Sequence, residues 1–123
     1  MTLTSTKNLP FTRRTTTAVT IFACMTVAYS AWSLPGLTVP QVTALHLDHA
    51  ELFSIYKQVI HQDVANQESV LDGLISQAAT AIIALNITMQ GIGSTPTSAF
   101  DLADMHLVTA NAVYVMINVQ AAE

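Results

Sequence analysis

The sequence predicts an all-α protein: an N-terminal signal or anchor segment followed by a small helical hairpin or three-helix bundle, stabilised by oligomerisation. Three observations predict it. From 42 to 92, Leu45, Leu52, Tyr56, Val59, Val70, Leu74, Ile82, Leu85 and Met89 recur at gaps of three and four or close multiples, with Asp48, Glu51, Lys57, Asp63 and Glu68 largely between them. Before this stretch, a basic segment with Lys7, Arg13 and Arg14 leads into an uncharged run over 15–34. Finally, 51% of residues are hydrophobic and only 10% charged, against roughly 25% charged in ordinary soluble domains. Helices this poor in charge demand more burial than a chain of 123 residues readily supplies alone.

Residues 1–33 read as a leader. The core of the uncharged run, 18–29, has the length of a signal-peptide apolar region, and small residues place cleavage frames after Ser30 (with Ala28) or after Ser33 (with Ala31). An uncleaved membrane anchor is the alternative, with Arg13 and Arg14 holding its start on the cytoplasmic side. The single cysteine, Cys24, lies in this run, so no intrachain disulfide can form. The expected location is secreted, periplasmic or extracellular, or membrane-anchored if the run is retained.

Residues 34–123 read as one helical domain. Pro35, Gly36 and Pro40 make 33–42 a linker, and Thr38-Val39-Pro40-Gln41 has capping-box spacing with proline in the first turn. A helix over 38–66 follows. As a single rod, 42–92 would run about 75 Å, longer than a small domain can use. A break is therefore expected between Ser69 and Gly73, where Ser69 and Asp72 also have capping-box spacing. The second helix, 70–90, carries no charge after Asp72, and the third, 98–121, opens on a capping box at Ser98 beyond the Gly-rich and Pro96-containing turn. Asp104, Asn111 and Asn118, seven apart, define a narrow polar stripe on the third helix. The excess apolar area of the last two helices marks Ile82, Leu85, Met89, Leu107, Tyr114 and Ile117 as interface residues.

Little in the chain carries chemistry. His46 and His49 are three apart on one helix face, a spacing that can set two imidazoles against one metal ion, with His61, Asp63 or His106 as further donors. No HExxH or ExxH motif accompanies them, and two histidines on an acidic amphipathic helix commonly face solvent or an interface. His61 with Asp63 and His106 with Asp104 are two apart, so a helix points them in different directions and no acid-base dyad is prebuilt. Asn86-Ile87-Thr88 matches a glycosylation sequon within the most apolar helix, where a glycan would block packing, so the match is incidental and the amide interfacial. No enzyme activity and no cofactor are expected.

Charge bears on partners. Without 1–33 the chain keeps Lys57 as its one basic residue against eight acidic ones, a net charge of about -7 that repels phosphate backbones and argues against nucleic acid. The expected partner is a second copy of the chain or a larger protein complex. The leading functional expectation is an exported structural or interaction protein. The alternatives are a membrane-anchored accessory subunit or pore-forming hairpin, and then a metal or small-ligand binder.

Overall fold

In the computed structural model, residues 12–61, 67–93 and 99–121 are described, and they form helices α1 (Arg13–Trp32), α2 (Val39–Ile60), α3 (Glu68–Ile92) and α4 (Ala99–Ala121). No strand occurs among the described residues. The helices close into a ring: α1 packs on α2 and α4, α3 packs on the same two, and α1 also meets α3 across the centre. Two observations fix their directions. Arg13 and Arg14 at the start of α1 reach Val119 near the end of α4 and Val59 and Ile60 at the end of α2, and Trp32 at the other end of α1 stacks on His46 early in α2. Neighbours therefore run antiparallel, the up-down-up-down order that short connections favour.

The expected leader is a wall of this bundle. Ile21, Cys24, Ala28 and Ala31 are fully buried, and Met25 and Val27 nearly so. The described residues thus form a four-helix bundle, with three helices after residue 33 and α1, expected as a signal or anchor, packed beside them. An uncharged run after two arginines has the same composition whether it packs, spans or is cut. Here α1 packs on α2, and Tyr56 meets Phe22 with ring centroids 5.9 Å apart.

The start of α2 follows its capping signal. The Thr38 hydroxyl accepts from the Gln41 N–H at 3.3 Å, and the Gln41 side-chain oxygen accepts from the Thr38 N–H at 2.8 Å. Its end falls earlier than expected, at Ile60, with His61 extended; residues 62–66 lie outside the described residues. Helix α3 begins at Glu68 without a side-chain cap, so Ser69 and Asp72 sit in its opening turns and Gly73 lies inside it. The acidic side chains of Glu68 and Asp72 instead meet the Arg13 guanidinium. Gly93 rather than Gly91 terminates α3, and its backbone stays right-handed. A Cβ there would come within 3.2 Å of the His106 ring, so the glycine leaves room for that imidazole. The turn over 94–98 and the expected Ser98 cap lie outside the described residues.

Helix α3 contributes most of the core: Leu71, Leu74, Ile75, Ala78, Ile82, Leu85, Met89 and Ile92 are buried against Leu45, Leu52, Ile55 and Val59 of α2 and Leu102, Ala112, Met116 and Val119 of α4. The interior is almost wholly aliphatic. Its buried polar groups are threonines, and Thr17 and Thr109 return their hydroxyls to the preceding helical turn.

Candidate interaction surface

The rotation of α4 is set on the side that faces α3. Thr109 donates its hydroxyl to Asn86 Oδ1 at 2.8 Å, the Gln120 amide donates to the Ser76 hydroxyl, and His106 lies against Gly93. With Ala112, Met116 and Val119 inside, the opposite face looks outward. It carries Ala103, Leu107, Ala110, Tyr114, Ile117 and Ala121, all exposed. The large members remain far from covered, with Leu107 at 60%, Tyr114 at 46% and Ile117 at 58% exposure. Their successive spacings of four and three are those of a heptad seam, the pattern by which one helix packs knobs into the holes of another.

Of the interface residues expected from sequence, Leu107, Tyr114 and Ile117 lie on this seam. Ile82, Leu85 and Met89 do not reach any outer surface: all are fully buried in the chain's own core. The correction has a simple cause. A helix apolar on several sides turns its bulkiest continuous face inward, and here α3 packs chiefly on α2 and α4. The exposed aliphatic residues of α3 are instead Ile83 and Ile87. Asn86, the sequon asparagine, is spent as an acceptor between α3 and α4.

His46 and His49 come together around a residue that sequence reasoning left in the leader. Trp32 stacks on His46 with centroids 4.0 Å apart and meets His49 edge-on at 5.1 Å. His49 also stacks on Phe53, above which Lys57 places its ammonium 4.7 Å from the ring centroid, a cation-π contact. A cleft of about 190 Å³ lined by Phe22, Met25, Thr26, Tyr29 and His49 lies alongside. The two imidazoles thus converge on an indole. Among the described residues, no group of three or more His, Cys, Asp or Glu side chains lies together as metal donors would; His61 ends α2 and His106 stands on α4. The chain's one tryptophan, near the end of α1, was the available sign of this cluster.

Charge collects at the end of the bundle where α1 begins. Arg13 bonds Glu68, Asp72 and the Val119 carbonyl, while Arg14 bonds the Val59 carbonyl at 3.0 Å and that of Ile60. Both arginines therefore satisfy final carbonyls of neighbouring helices, where the negative pole of the helix dipole welcomes them. Burial opposes the Arg13 charge, but hydrogen bonds and attraction to Asp72 and Glu68 outweigh it and raise its pKa. Cys24 is fully buried, and that burial pushes its thiol up to about 12, so it stays protonated and unreactive.

Between α2 and α3, Thr88 donates to Asp48 at 2.8 Å. Burial raises the Asp48 pKa and the Thr88 hydrogen bond lowers it, with a net rise. A raised carboxyl favours the fold most when protonated, below the ordinary aspartate value of about 3.9, and that contribution is lost as pH rises through the folded value. Asp48→Asn keeps an acceptor for Thr88 without the charge. In urea titrations its stability relative to wild type is expected to increase from pH 3.5 to pH 7; a constant difference would show that Asp48 is not held against ionisation.

Compared with protein-family models, with curated proteins and with solved structures, the chain matches none.

Proposed function

We propose that the protein is a helical assembly component whose activity is association, through the outer face of α4, with another copy of itself or a larger complex. One observation carries this: the seam from Ala103 to Ala121 is exposed, uncharged and heptad-spaced along nearly the whole helix. Export is supported by the sequence of residues 1–33 alone. A second reading, a membrane-associated bundle, is favoured by α3 and α4, which by length and composition could each cross a bilayer. Against it stand the polar Ser76, Gln77, Thr80 and Gln90, which share the outside of α3 with Ile83 and Ile87.

Sedimentation of the full chain without detergent, across concentration and salt, separates the readings. Reversible association at micromolar concentration, undiminished by salt because packing rather than ion pairing drives it, is the expected result. A folded monomer at high micromolar concentration would refute the assembly reading. Solubility only in detergent would move the assignment to the membrane.

A further inference from the structure

Resting on that assembly reading, we infer that the partner on the seam is a second copy of the same helix, docked antiparallel about a twofold axis that crosses the seam between Ala110 and Tyr114. The residues on the seam are self-complementary in size when the direction is reversed. Antiparallel pairing places Leu107 against Ile117, Tyr114 against Ala110 and Ala103 against Ala121, so that each bulky ring faces a methyl group. The twofold axis repeats every contact, which makes the interface isologous and closed at two chains.

The flank agrees with the same axis. Asp104, Asn111 and Asn118 follow one edge of the seam, with Asp104 and Asn111 exposed and Asn118 half-buried. In antiparallel helix pairs like edges meet, so Asp104 faces Asn118 of the other copy, carboxylate to amide, and the two Asn111 side chains face each other. Parallel pairing would instead set Tyr114 against Tyr114, joining the two largest side chains of the seam. It would also align the helix dipoles, which antiparallel packing opposes.

The neighbouring walls permit the approach. Helix α1 has no charge after Arg14 and α3 none after Asp72, so a chain of net charge -4 meets its copy across a surface without repulsion beyond Asp104. From Ala103 to Ala121 the seam rises about 27 Å. One helix pair of that length covers roughly half the ~800 Å² per partner of a standard interface, which points to a reversible dimer rather than a permanent one.

Cysteine crosslinking tests the direction. With Cys24→Ala in the full chain, Leu107→Cys and Ile117→Cys are prepared separately and treated with diamide, alone and mixed, their folding verified by helicity. The mixture is expected to give the 107–117 disulfide dimer, with yield at least fivefold above either variant alone, where equivalent thiols stand ten residues apart. Tyr114→Lys, which places charge on the axis, is expected to weaken association at least tenfold while retaining the helical content of wild type. Efficient crosslinking of Leu107→Cys with itself would overturn the antiparallel pairing in favour of a parallel one. Wild-type association unaffected by Tyr114→Lys, with no crosslink in the mixture, would overturn both the antiparallel pairing and the assignment of association to the outer face of α4, leaving self-association through another surface. A wild-type monomer in sedimentation would remove both, and crosslinking confined to phosphatidylcholine vesicles would overturn the soluble dimer.

Discussion

Deleting residues 1–33 is expected to abolish the cooperative monomeric fold of the remaining chain. Helix α1 fills the space between α2 and α4, and the deletion withdraws Ile21, Cys24, Met25, Val27, Ala28 and Ala31 from the interior at once. Burial of one such aliphatic side chain contributes about 1.5–3 kcal/mol, so Ile21, Met25 and Val27 alone contribute roughly 5–9 kcal/mol. Whole domains hold about 5–15 kcal/mol. The same cut removes both arginines from the ends of α2 and α4 and exposes the faces of those two helices on which α1 packs. Thermal denaturation and sedimentation of 34–123 beside the full chain will show the loss as a broad transition, association or precipitation. A sharp transition from a monomer at the full chain's melting temperature would mean that α1 is dispensable.

Leu85→Ala and Ile117→Ala should separate folding from assembly. Leu85 is fully buried, and truncating it loses both its transfer free energy and the packing of the cavity left behind, about 2–5 kcal/mol. The melting temperature is expected to fall by about 10 °C or more. Ile117 is largely exposed, and its truncation should change monomer stability by less than about 0.5 kcal/mol while weakening self-association. Chemical denaturation measures the first quantity and sedimentation the second. Equal destabilisation by the two substitutions would place Ile117 inside the fold and sink the distinction between core and seam.

The helical class was legible because apolar spacing of three and four is visible without a partner. Thr38 and Gln41 likewise announce their cap locally. What escaped were the features decided by more distant packing. Gly73 suggested a break, yet it lies within α3, in open space where the absence of a side chain harms nothing. The spacing picked out Ile82, Leu85 and Met89, which are buried, but spacing does not say whether so apolar a face is covered by helices of the same chain, residues 1–33 among them, or by a partner. For the same reason the Trp32 contact with His46 and His49 was invisible while the indole belonged to the leader. On α4 the polar spacing of Asp104, Asn111 and Asn118 was already apparent, and Leu107, Tyr114 and Ile117 lie beside it on the outside.

The Arg13 clasp also gives the fold a timetable. Its bond to Val119 spans 106 residues of sequence, so that corner closes only after residue 119 has been made. Translation at about 5–20 residues per second leaves roughly 5–20 s between the emergence of Trp32 and that of α4's end. Throughout that interval α1 can pair with α2, but its α4-facing side stays open. Whatever meets the nascent chain competes with α4 for one surface, and the outcome depends on relative rates as much as on final stability.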